Sequence, residues 1–80
     1  MKDLSELKTK AVSANIRKMR EHKNYTQDYL ATKLGISQNA YSKIELSYSK
    51  LTLERLFRIA DVLEIDIAQL LSERMDLGQK

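Results

Sequence analysis

The chain is expected to fold as an all-α domain, a compact bundle of five helices. Three observations predict this. Apolar residues recur at helical spacing through almost the whole chain. Ser, Thr and Asp stand where helix N-caps are needed, at Thr26, Ser37, Thr52 and Asp66. There is no Pro, and two Gly and a single Phe leave too few turn and β-forming residues for hairpins.

The first helix is expected over residues 11–23, with Val12, Ile16 and Met19 on one face and Arg17, Lys18 and Lys23 toward solvent. Residues 1–10 read as a basic arm or an extra helical turn, in which Leu4 and Leu7 extend the helix or lie on the surface. Thr26 opens the second helix, Asp28 meets the positive end of its dipole, and Tyr29, Leu30, Ala31 and Leu34 supply the apolar face. Gly35 closes it, because glycine takes a positive φ without steric cost. Ser37 then caps a third helix with Ala40, Tyr41 and Ile44 inward and Gln38, Asn39, Ser42 and Lys43 outward.

Ser47–Lys50 is a polar loop. A fourth helix follows over 52–64 with a stripe of Leu53, Leu56, Ile59, Ala60 and Leu63, and Asp66 caps a fifth. The domain thus spans 11–77, with a short tail at 78–80. Late in the chain Val62, Ile65, Ile67, Leu70, Leu71, Met75 and Leu77 crowd together. This is more apolar surface than one short helix is expected to bury. Ile65, Ile67, Leu71 and Met75 are therefore expected at a homodimer interface.

Two short helices around a glycine turn form the unit that places a second helix in a DNA major groove, and the same unit also occurs in any small helical bundle. The outward residues suit that use. Gln38 and Asn39 match the adenine edge, Lys43 matches guanine, and Ser42 reaches base or phosphate. Charge is graded along the chain. Residues 1–23 hold seven Lys or Arg against three acids, residues 24–50 three against two, and residues 51–80 four against six. One end is cationic and the other acidic, as expected if a phosphate-facing side lies in the first half.

Other chemistries find little material. Without Cys there is no disulfide framework, thiolate nucleophile or Cys-ligated zinc. His22 is alone, so no metal and no cofactor is expected, and no nucleophile elbow or phosphate-cradling glycine loop is present for an enzyme. No apolar run approaches the ~20 residues of a membrane span. A cytoplasmic protein with no membrane association is expected.

From about Val12 to Leu71 the chain resembles the Xre family, the Cro- and lambda-repressor-like helix-turn-helix DNA-binding domains. The likeness runs through IRKMR, TQDYLATKLGIS, QNAYSKIE and LTLERLFRIADVLEIDIAQLL. It implies that helices 2 and 3 form the helix-turn-helix, that Gln27, Ser37 and Ser42 contact phosphate, and that Gln38, Asn39 and Lys43 read bases. It also implies a structural ion pair between Arg20 and Glu45. In the family's pattern a Gly and a Pro flank a basic loop after that glutamate, whereas this chain has Ser47 and Leu51 there. Tyr48 and Lys50 are the phosphate contacts expected of this loop. The resemblance implies a homodimeric regulator on double-stranded DNA, similar to restriction–modification controllers, small phage repressors and antitoxins. A different class is a protein-interaction module, an antitoxin or coactivator bridge, using the late apolar surface.

Overall fold

The computed structural model describes residues 3–72. These form α1 (Leu4–His22), α2 (Gln27–Leu34), α3 (Gln38–Glu45), α4 (Leu53–Leu63) and α5 (Ile67–Leu71). The chain is the all-α five-helix bundle its sequence implies. No strand occurs among the described residues, and none of their helices is long and apolar enough to cross a membrane.

Helix α1 begins two turns earlier than the apolar stripe predicts. Asp3 caps it, its carboxylate accepting from the Glu6 amide at 2.9 Å and the Ser5 hydroxyl at 2.8 Å. The Glu6 amide bond, then Ser5, holds the Asp3 carboxyl below its ordinary pKa. The first described residues are thus added helix rather than a loose arm, and Leu4 and Leu7 lie exposed on it.

The starts of α2, α3 and α4 follow one pattern. The hydroxyl of Thr26, Ser37 or Thr52 accepts from the amide three residues on, at 3.0–3.1 Å. Each such cap satisfies a first-turn donor and is worth about 1 kcal/mol. The ends share a second pattern. Asn24, Gly35, Ser47 and Glu64 all take φ between 60° and 73°. At each, the following amide bonds back five residues, as in Ile36 to the Ala31 carbonyl and Tyr48 to the Lys43 carbonyl. These bonds satisfy carbonyls the helix leaves free. Gly35 was the expected stop; the other three were not, since non-glycine residues reach this conformation at a cost.

The core is built from Ile16 and Met19 of α1, Leu30, Ala31 and Leu34 of α2, Tyr41 and Ile44 of α3, Leu56, Ile59, Ala60 and Leu63 of α4, and Leu70 of α5. Three residues expected on apolar faces lie elsewhere. Leu53 is 66% exposed and Tyr29 38%, each at the edge of its stripe, and Ala40 faces solvent. Tyr29 instead tilts against Tyr25, ring centres 4.5 Å apart, with the Lys33 ammonium over its face.

The late apolar residues are largely absorbed within the chain. Leu63 and Leu70 are fully buried, and Val62, Ile65 and Ile67 pack against the core. Leu71 is half exposed. Met75 and Leu77, with the expected tail, lie outside the described residues. Asn15, a buried polar residue of α1, locks this end in place. Its side-chain amide donates to the Leu70 carbonyl at 3.0 Å and the Ser72 carbonyl at 2.6 Å.

Candidate nucleic-acid interface

Helix α3 is anchored from beneath and open above. Tyr41 and Ile44 bury its lower face. Glu45, at its last turn, turns inward too, its side chain only 3% exposed. A lone buried carboxylate would be costly, but three donors meet it. Arg20 of α1 holds it in a two-pronged pair, Nε to Oε2 at 2.6 Å and Nη2 to Oε1 at 3.2 Å. Gln27, at the start of α2, donates to Oε1 at 3.1 Å. The third Arg20 bond, from Nη1 to the Tyr25 carbonyl at 2.8 Å, ties the α1–α2 turn to the same cluster.

One cluster therefore fixes α1, the start of α2 and the end of α3 together. Burial alone would raise the Glu45 pKa, yet Arg20 first, then the neighbouring Tyr41 hydroxyl and Gln27, outweigh it and hold the carboxyl below its usual range. Glu45 reciprocally raises the Arg20 pKa. Beneath the pair sits Tyr41, fully buried, its hydroxyl lacking a hydrogen-bond partner among the described residues. Burial, then the neighbouring carboxylate, drives its ionisation well above the usual phenol range.

The solvent side of α3 opens on a groove of about 430 Å³. Ser37, Asn39, Ala40 and Lys43 form one wall; Ser49, Lys50, Thr52 and Arg55 form the other. Three cations and no acid line it. Asn39 and Lys43 are four residues apart, hence on one face of α3. The hydroxyl of Ser37 accepts the Ala40 amide and keeps its own proton for an outside acceptor.

The expected contact residues separate into groups. Asn39, Lys43, Ser37 and Lys50 come together at the groove. Gln38 is exposed beside it, and Ser42 is half-buried. Tyr48 is 77% exposed and with Lys50 lines a neighbouring cleft that includes Ser5 and Lys10 of α1. Gln27 gives one amide proton to Glu45, a bond its sequence position did not announce.

Arg55 was missed. The available signal was electrostatic: a cation in the first turn of a helix opposes the dipole. Its place in the same groove as Lys43 gives the charge another use.

The loop after α3 carries the two departures from the family's pattern, Ser47 and Leu51. Ser47 takes φ 63° where the pattern has glycine, and the Tyr48 amide closes on the Lys43 carbonyl at 2.8 Å. Leu51, in place of proline, leans on the core, and Thr52 still caps α4.

A helix-turn-helix family model matches residues 16–70, from the core of α1 to the last buried leucine of α5. The chain belongs to this helix-turn-helix family. Proteins of this family are regulators rather than enzymes. Among curated proteins, the chain is 36% identical over 59 residues to an uncharacterized helix-turn-helix-type transcriptional regulator, YqaE, of Bacillus subtilis (strain 168). That match covers 74% of this chain and 51% of the relative. It is 45% identical over 47 residues to the cryptic phage CTXphi transcriptional repressor RstR of Vibrio cholerae, covering 59% of this chain and 42% of that one. The chain thus spans about half the length of the curated relatives it matches. No solved structure matches it significantly. The helix-turn-helix is α2, the Gly35 turn and α3. Among its described residues no group of His, Cys, Asp and Glu could hold a metal ion.

Proposed function

We propose that the chain is a sequence-specific DNA-binding transcription regulator, acting in the cytoplasm, that binds a palindromic operator as a homodimer with α3 in the major groove. The observation that carries this reading is the groove beside α3, which presents three cations, no acid, and amide and hydroxyl groups suited to base edges and phosphates. The relatives named as transcriptional regulator and repressor support it.

Gln38 and Asn39 pair with adenine edges and Lys43 with guanine; each good contact discriminates by about 1–3 kcal/mol. Ser37, Lys50 and Arg55 bind the phosphates that flank the groove, Ser42 and Tyr48 lie beside them, and Gln27 adds a contact at the start of α2. Half-sites lie about one turn, ~10 bp, apart. Clamping Glu45 inward has a direct benefit here, since it keeps the last carboxylate of α3 away from the DNA backbone.

The test is a selection from random duplex DNA with the purified chain at two salt concentrations. The expected winner is a palindrome that the Gln38→Ala/Asn39→Ala/Lys43→Ala variant no longer enriches. Unaltered affinity and sequence preference in that variant would overturn the placement of α3. An absence of any enriched sequence would leave a protein-binding role for the same fold.

A further inference from the structure

The exposed edge of α4 has no role in the groove or the core. Leu53 is 66% exposed and Phe57 49%, although every other large apolar residue of this helix is buried or packed on the core. The two are four residues apart and so lie one above the other on one face. Glu54 and Arg58 repeat that spacing one step around the helix, forming a charged row beside the apolar one. Both are exposed, and neither enters an ion pair with the other or with any described residue.

We infer that this edge is the surface on which a second copy of the chain docks, with α4 packed antiparallel against its twin. The patch is self-complementary, which a two-fold interface demands: if residue i meets residue j, then j meets i. About a two-fold axis that crosses the Leu53/Phe57 face midway between those two residues, Leu53 meets the partner's Phe57 and Phe57 meets the partner's Leu53. On the flank Glu54 meets the partner's Arg58, and Arg58 the partner's Glu54. A partner of another sequence would have to supply the same apolar pair and the opposite charge order; a copy of this chain supplies both without further requirement. The location also suits a DNA-binding dimer. Arg55, on the flank of α4 turned away from Leu53 and Phe57, lines the groove beside α3, so docking here leaves both grooves open.

This inference rests on the homodimer reading above, and the experiment separates the two. Sedimentation equilibrium of the full 80-residue chain, with circular dichroism to check folding, is run on five proteins. The wild type is expected to dimerise. Phe57→Glu is expected to weaken dimerisation by at least ~100-fold, because two buried rings are lost at once. Glu54→Arg and Arg58→Glu each set like charges against one another twice and weaken it by roughly tenfold. The double reversal, Glu54→Arg/Arg58→Glu, restores dimerisation to within about threefold of wild type. That recovery cannot come from a folding defect. A wild type that stays monomeric with and without its selected DNA overturns both readings. A dimer that withstands Phe57→Glu and both single reversals, or double reversal without recovery, overturns this surface alone. In that case Leu71→Glu, on the exposed side of α5, tests the alternative face.

Discussion

Removing the guanidinium of Arg20 is expected to weaken the fold and DNA binding together. In Arg20→Ala the Glu45 carboxylate, 3% exposed, keeps one bond from Gln27 and loses two from Arg20. The Tyr25 carbonyl loses its donor as well. Breaking one side of a buried pair costs about 3–5 kcal/mol. Arg20 retains 11% side-chain exposure, so water can reach the site and the lower figure, about 3 kcal/mol, applies. A domain of this length has roughly 4–12 kcal/mol to lose. The melting temperature is expected to fall by ~12–24 °C.

The assay is urea unfolding of wild type, Arg20→Ala, Glu45→Ala and the double variant. The double variant is expected to recover about 2 kcal/mol relative to the sum of the singles, since it leaves no orphaned charge. A coupling below ~0.5 kcal/mol, the size of an exposed pair, would refute the reasoning.

The same pair predicts a pH dependence. The folded Glu45 pKa lies below its ordinary value of 4.5: burial raises it, and Arg20, then Tyr41 and Gln27, lower it by more. Its contribution is therefore fully present above 4.5 and is lost as pH falls through the depressed folded value. Without Arg20 the burial effect prevails, and the folded pKa moves up. The stability gap between wild type and Arg20→Ala should then narrow on acidification. A gap that widens would reverse the assigned sign.

Three further outcomes follow from other parts of the molecule. Asn15→Ala removes the donor of two carbonyls at the end of α5 and should cost about 1–3 kcal/mol, with amide exchange of α5 rising before that of α2; equal protection in both variants would show the link to be idle. Ser47→Gly relieves a left-handed serine and should stabilise by ~0.5–1 kcal/mol in the same urea assay, whereas Gly35→Ala, at φ 73°, should destabilise by a similar ~1 kcal/mol. Arg55→Ala should weaken DNA binding evenly across sequences and reduce the slope of log affinity against log salt by about one, while Lys43→Ala should also change which base is preferred. An unchanged slope would remove Arg55 from the phosphate contacts.

Much of this molecule is written in local sequence. The starts of α2, α3 and α4 were legible because a Ser or Thr hydroxyl serves an amide three residues away, and a local bond has a local signature. The inward faces of α2 and α3 were legible from the spacing of Leu30, Leu34, Tyr41 and Ile44, and the outward Gln38, Asn39 and Lys43 from what remained. The Arg20–Glu45 pair was carried by the family resemblance, since 25 residues separate its members. Tertiary structure decided the rest. It drove Asn24, Ser47 and Glu64 into the left-handed region, because packing fixed where each helix must stop and the residue present had to comply. It drew Gln27 onto Glu45, brought Arg55 into one groove with Lys43, and set Asn15 against the end of α5. It also buried Leu70 while leaving Leu53 and Phe57 outside. Periodicity says that a helix has an apolar face; how wide a part of that face is covered depends on neighbours that arrive from elsewhere in the chain.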